Sequence, residues 1–218
     1  MGTVPEVVQG DGSYALIVEF ASGIVSPAVF DTINDIIKDE GARVHLTTSQ
    51  KLMILDLTES SAQRARVRLN DIGAAFRLPK RFYQPRVCVG SRYCTLGLQD
   101  TLGFANQVSK KYSGIDIPYK LKIGISGCRA SCAHSTMSDI GFIGQKSGYS
   151  CYVGGRAGTN PLFGRLLEEQ LTDSQSLDIL GKAVLFYKEN YEQETKSRLV
   201  DIIEKAGFDR FRAFVVSG

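Results

Sequence analysis

Four of the chain's five cysteines fall into two tight pairs. The first reads Cys88-Val-Gly-Ser-Arg-Tyr-Cys94, a C-x5-C spacing, and the second Cys128-Arg-Ala-Ser-Cys132, a C-x3-C spacing. Paired thiolates that converge from two distant loops are how a chain holds a metal centre. Structural zinc sites use narrower knuckles, often C-x2-C, so the spacing leans towards an iron–sulfur cube, with zinc or a purely structural site as the alternative. Disulfides are the weaker reading. They suit an oxidising compartment, and the N-terminal Met-Gly-Thr-Val-Pro-Glu-Val-Val-Gln-Gly has neither the basic flank nor the apolar run of a signal peptide. No apolar stretch is long enough for a membrane span, so no membrane partner is expected and the expected location is the reducing cytoplasm.

Charge is concentrated where the cysteines are. From Arg77 to Arg165 the chain carries 13 Lys or Arg against three acids, Asp100, Asp116 and Asp139, although the whole chain has a net charge of only +3. Such a segment expects a polyanionic ligand. The 13 glycines and four paired cysteines of the same stretch speak against a nucleic-acid surface.

The elements that must position these residues follow from periodicity. Residues 1–12 read as an arm, with Gly10 and Gly12 marking a turn. A strand follows over Tyr14–Phe20, then a helix opening at Ser26-Pro27 and running to Gly41, with Val29, Phe30, Ile33, Ile36 and Ile37 at helical spacing. Strands over Arg43–Thr48 and Leu52–Leu57 and a helix capped by Ser60 or Ser61 and running through Phe76 complete a β-α-β-β-α order. That order predicts a ferredoxin-like half of α+β (α/β) class, with helices on one face of an antiparallel sheet. The boundary falls in the Pro- and Arg-rich stretch 78–87, dividing the chain into 1–79 and 80–218. In the second part the pattern predicts a helix over Leu98–Lys111 and strands over Tyr119–Ile125, Ser138–Ile143 and Tyr149–Val153. Beyond these it predicts helices over Leu162–Glu169, Ser174–Glu192 and Glu194–Ala206 and a final strand over Phe211–Val216. Lys120-Leu-Lys122 then sits on a strand, where alternate side chains share a face and both ammonium groups can reach one site; alone, such a pair reads more often as solvated surface.

"CVGSRYC" followed by "KLKIGISGCRASCAHSTMSDIGFIG" resembles the cluster-binding core of the sirohaem-containing nitrite and sulfite reductases, and by length the small, assimilatory-type sulfite reductases. The resemblance covers nearly the whole chain and implies one copy of the repeat that larger members carry twice. It implies that Cys88, Cys94, Cys128 and Cys132 bind a 4Fe–4S cluster and that Cys132 also bridges to the iron of a sirohaem, whose carboxylates suit the basic segment. The implied reaction is the six-electron reduction of sulfite to sulfide, with nitrite reduction to ammonia as the near alternative. The chain shows no flavin or nicotinamide fingerprint, so electrons are expected from a ferredoxin-like donor protein. A non-catalytic electron carrier and a zinc-stabilised module are the alternatives of other classes.

The same resemblance places Lys120 and Lys122 on the substrate oxyanion. Arg86, two residues before Cys88, is expected as a further anion ligand or, equally, as a partner of a sirohaem carboxylate. His45, in Val44-His45-Leu46-Thr47-Thr48-Ser49-Gln50, stands where members with a substrate-binding arginine carry Arg, and it can still donate a hydrogen bond or proton. Arg92, Arg129 and Arg156 are expected on sirohaem carboxylates, since guanidinium grips a carboxylate with two hydrogen bonds. Gly154 and Gly155, in a glycine-rich run, are expected beside the sirohaem. His134 reads as a residue orienting the cysteine loop, and Cys151 as a small buried hydrophobe without function.

Overall fold

The computed structural model describes residues 4–193 and 195–216. The chain divides after Pro79 into two compact units. In the first, β1 (Glu6–Val8), β2 (Tyr14–Glu19), β3 (Arg43–Leu46), β4 (Leu52–Leu57) and β5 (Ala75–Phe76) form an antiparallel sheet of order β1-β2-β4-β3, with β5 also paired to β2. Helices α1 (Pro27–Glu40) and α2 (Glu59–Asp71) pack together against it and bury Ile33, Ile36, Ala62, Ala65 and Leu69 on Leu16, Val18 and Ile54. This is the ferredoxin-like arrangement expected from the order of the elements.

Local chemistry sets the helix ends. Ser26 Oγ accepts the Val29 N–H at 3.4 Å, Pro27 opens α1, and Gly41 closes it with φ 64°. Helix α2 starts one turn earlier than Ser61, because Thr58 and Ser61 cap each other reciprocally. It stops at Asp71, where Gly73 turns the chain with φ 74° and releases Ala75–Phe76 into the sheet, so Val67 and Ile72, expected inside, are exposed. Residues 6–8 of the expected arm are a hairpin strand on β2, and residues 1–3 lie outside the described chain. Beneath this sheet Lys51 and Glu19 form an ion pair with both side chains 5% exposed. Desolvation holds the Lys51 ammonium below the ordinary lysine range, and Glu19 offsets part of that cost.

The second unit is built on a mixed sheet of order β10-β9-β8-β7-β6, from β6 (Arg86–Val87), β7 (Ile123–Ser126), β8 (Ile140–Gln145), β9 (Gly148–Val153) and β10 (Arg165–Leu171). β6, β7 and β8 run parallel; β9 and β10 return antiparallel. A short α3 (Gly90–Tyr93) and α4 (Thr101–Tyr112, capped by Asp100) follow β6, and α5 (Asp173–Glu189), α6 (Leu199–Ala206) and α7 (Phe208–Val216) close the chain. Phe104, Phe142, Tyr149, Phe186 and Phe211 centre the core. Among the described residues no helix is long and apolar enough to cross a membrane.

Four expectations fail here. Leu162–Glu169 is not a helix: its Leu- and Glu-rich sequence favours one, but pairing with β9 makes 165–171 a bulged edge strand that buries Leu167 and Leu171. Phe211–Val216 is not a strand but part of α7, where Phe211 and Val215, four apart, bury one face. The strand expected over Tyr119–Ile125 runs only from Ile123 to Ser126, so Lys120 and Lys122 lie in the segment leading into it. The helix expected from Glu194 begins at Leu199, and Glu194 itself lies outside the described residues.

On the face of the sheet opposite Phe142, glycines replace side chains. Gly124 and Gly141 are register partners on β7 and β8. A Cβ at Gly124 would stand 2.9 Å from Ser135 Cα, and one at Gly141 would run into the Ser135 carbonyl. The segment after the second cysteine pair therefore lies backbone-on-backbone against the sheet. Changing Gly141→Ala is expected to lower thermal stability by about 1–3 kcal/mol, since backbone and not a flexible side chain must move. Gly10→Ala, where a Cβ meets nothing within 4 Å, is expected to stay within ~0.5 kcal/mol; equal effects would contradict the packing argument. In the first unit, Glu19→Gln removes the carboxylate beside a buried ammonium, and denaturant unfolding is expected to show a loss of about 3–5 kcal/mol.

Candidate functional site

The first cysteine loop is an extension of the parallel sheet. Cys88 N–H donates to the Ile125 carbonyl at 3.0 Å, and Gly127 N–H donates to Cys88 Sγ at 3.0 Å. Thr101 Oγ1 donates to the Cys88 carbonyl at 2.5 Å, tying the loop to the start of α4. Leu98 N–H donates to the Gly127 carbonyl at 2.7 Å, so the loop's return leg is bonded to the residue preceding Cys128. A Cβ at Gly127 would stand 2.9 Å from Gly90 Cα, and one at Gly97 would run into the Gly90 backbone. Close packing of main chain on main chain thus brings the two cysteine loops together.

The second loop is fixed from within. Ser131 N–H donates to the Cys128 carbonyl at 3.1 Å and His134 N–H to the Ser131 carbonyl at 2.7 Å. Ser126 Oγ accepts the Ala133 N–H at 3.1 Å and lies 2.8 Å from Ser135 Oγ. Cys88, Cys94 and Cys128 are half-buried, Cys132 is exposed, and all are free thiols.

Among the described residues no three His, Cys, Asp or Glu side chains converge as the ligands of one ion do. A tetrahedral zinc needs its sulfurs about 3.8 Å apart, from a Zn–S bond of ~2.3 Å. In a four-iron cube each thiolate meets a different iron, so the sulfurs stand further apart. Four soft thiols on two docked loops, one with a main-chain N–H aimed at its sulfur, are a donor set that fits such a cluster. Cys151 is fully buried on β9, and burial pushes its thiol far above the ordinary range, as expected of an inert packing residue.

Beside the loops stands a group of cations. Arg86 Nη1 lies 3.2 Å from His134 Nδ1 and Nη2 donates to Ser138 Oγ at 3.4 Å. Arg86 therefore ties β6 to the second cysteine loop, and its guanidinium is partly desolvated. Lys120 and Lys122 are exposed on either side of the buried Leu121, and Lys120 Nζ lies 5.5 Å from the Tyr119 ring centre. The Lys122 ammonium is held below the ordinary lysine range, by desolvation first and then by Arg198 and Arg86; Asp139 opposes them. Arg86, Lys120 and Arg198 thus all act through space on Lys122. Arg198 escaped the sequence reading because it lies 76 positions after Lys122, ahead of an ordinary helix. The signal that points to it is Asp139, a buried acid in a basic segment, which needs a partner.

The remaining expected residues fall in different places. Arg92 is exposed on α3, 3.8 Å from Asp100, and Arg129 is exposed between Cys128 and Cys132. Arg156 is already engaged by its own chain, with Nη1 3.1 Å from Asp201 Oδ1 and Nε donating to the Asn160 carbonyl at 3.3 Å. Gly154 has φ 79°, and a Cβ at Gly155 would run into the Thr136 and Ser138 carbonyls. Glycine at 155 therefore admits the chain's own backbone. His45 is exposed on β3 in the first unit.

The chain matches the nitrite/sulfite reductase ferredoxin-like half domain over residues 7–72 and the nitrite and sulphite reductase 4Fe-4S domain over residues 80–217. It is 31% identical to the assimilatory-type sulfite reductase of Nitratidesulfovibrio vulgaris, over 94% of this chain and 93% of that one. It is 28% identical to the nitrite reductase (NAD(P)H) of Bacillus subtilis, over 88% of this chain but 24% of the larger protein. Among solved structures, the NirA protein of Mycobacterium tuberculosis superposes with a TM-score of 0.79 at 23% identity, over 95% of this chain and 41% of that one. Dissimilatory sulfite reductase I superposes with a TM-score of 0.80 at 13% identity, over 94% and 69%; both likenesses bear on the fold. The chain therefore belongs to the nitrite and sulphite reductase family, as an oxidoreductase of a small molecule whose cofactors are a 4Fe–4S cluster and sirohaem.

Proposed function

We propose that the protein reduces sulfite to sulfide, with electrons from a ferredoxin-like donor, in the cytoplasm. The observation that carries this reading is the Arg86–His134 contact, which sets a cation that also acts on Lys122 directly beside the second cysteine loop. The 31% identity to an assimilatory-type sulfite reductase over nearly its full length supports sulfite. The nitrite reductases that also match include proteins of which this chain spans a quarter or less.

In this reading Cys88, Cys94, Cys128 and Cys132 would hold the cluster, with the exposed Cys132 towards the sirohaem. The two cofactors would relay the donor's electrons and supply the iron at which the substrate is reduced. Arg86, Lys120 and Lys122 bind the oxyanion, and the exposed Arg92 and Arg129 are the guanidinium groups for sirohaem carboxylates, Arg92 from a long contact with Asp100. The Arg156 guanidinium serves its own chain first. An ammonium held below its usual range is also a stronger acid, so Lys122 can both attract the anion and pass it a proton.

Reduced methyl viologen assays decide the substrate: kcat/KM is expected to be higher for sulfite than for nitrite, with one sulfide per six electrons, and faster nitrite turnover would overturn the proposal. The sign of the pH effect follows from Lys122. Its charge is fully present below its lowered value and is lost as pH rises through it, so KM for sulfite is expected to climb at the alkaline end. Lys122→Met is expected to weaken sulfite binding by roughly 10- to 100-fold, the range for one charge-assisted hydrogen bond. The variant also loses that alkaline rise, and the comparison removes sulfite's own ionisation from the profile.

A further inference from the structure

Asp139 is 0% exposed, immediately before β8. Its carboxylate accepts three hydrogen bonds. Arg198 Nε donates to Oδ1 at 2.9 Å and Nη2 to Oδ2 at 2.6 Å, and the main-chain N–H of Lys122 donates to Oδ2 at 2.6 Å. The next residue, Ile140, donates its N–H to the Lys122 carbonyl at 3.3 Å. Lys122 is therefore gripped through both main-chain groups, one residue before Ile123 enters register with Ile140. Arg198, with its side chain 13% exposed, stands at the first position before α6.

A buried ion pair is a poor stabiliser in itself, because taking two charges out of water costs several kcal/mol per ion and an apolar pair of similar volume often does as well. What an apolar pair cannot do is hold an amide N–H. The carboxylate receives that N–H, and the two-pronged guanidinium keeps the carboxylate ionised and aimed. Burial pushes the Asp139 carboxyl up, and Arg198 and the Lys122 N–H counter it.

We propose that Asp139 and Arg198 are the positioning pair of the anion site, fixing the main chain of Lys122 and setting the charge around its ammonium. The proposal rests on the reading of Lys122 as an oxyanion ligand. The groups whose charge acts on Lys122 are Arg86 of β6, Lys120 beside it, and Asp139 and Arg198 themselves. Tyr187 of α5 and Asp201 of α6 act in turn on Arg198.

The test is equilibrium binding of sulfite to the oxidised holoenzyme by calorimetry across pH, with Tm measured in parallel. The double variant Asp139→Leu/Arg198→Met is expected to keep Tm within about 5 °C and to bind sulfite roughly tenfold more weakly. Its alkaline loss of affinity is expected at higher pH, because the Arg198 cation outweighs Asp139 at Lys122. Arg198→Lys keeps the charge but not the fork, so affinity is expected to fall with the pH midpoint unmoved. A merely structural pair would shift Tm and leave the midpoint in place in both. A double variant that folds and matches the parent in affinity and pH profile would overturn the proposal; if it does not fold, wild-type affinity in Arg198→Lys would do so. Lys122→Met that binds like the parent would instead sink the anion-site reading, whereas weak binding in Lys122→Met alone sinks only the positioning pair.

Discussion

The approach of main chain to main chain, with no side chain between, is what the second unit depends on. Gly124 and Gly141 bring Ser135 down onto the sheet, and Gly155 receives the Thr136 and Ser138 carbonyls. Gly90, Gly97 and Gly127 dock the first cysteine loop onto the second. Backbone is stiffer than side chain and carries its own donors, so loops packed in this way present thiolates at fixed positions with N–H groups beside them. The interaction also gives a reason for glycine in the basic segment without a phosphate-binding loop: at Gly124, Gly127, Gly141 and Gly155 the chain's own backbone comes close.

Electrostatics is superimposed on that scaffold. A site for an oxyanion wants several cations close together, and such a group is costly unless solvent or a buried acid relieves it. Here Asp139 is that acid, and it is shared between a guanidinium and an amide. Lys122 is still held below its usual range, by desolvation first and then by Arg198 and Arg86. In the proposed site an arriving anion offsets that charge, which would couple binding and charge at one lysine.

Much of this was legible from residues alone. Cysteine spacing pointed to a metal centre, and caps at Ser26 and Gly41 with alternating strands outlined the ferredoxin-like unit, because those signals are local. Failures occurred where distant partners decide. Residues 165–171 have the composition of a helix, yet β9 offers an edge and takes them as a strand. Phe211–Val216 looks like a strand, yet Phe186 of α5 meets Phe211 edge-on and the segment winds into a helix. Arg156 looked like a free guanidinium because Asp201, its partner, lies 45 positions away. Arg198 was invisible for the same reason, and only the oddity of an acid at 139 marked the place.

The most direct measurement is the Mössbauer spectrum of protein grown on iron-57 and purified without oxygen, taken with its visible absorption. The account predicts a cube and one haem iron in a ratio of four to one, beside chlorin-like bands, with both signals lost together in Cys132→Ser. Colourless protein, zinc in place of iron, or a cluster spectrum without haem iron would contradict it.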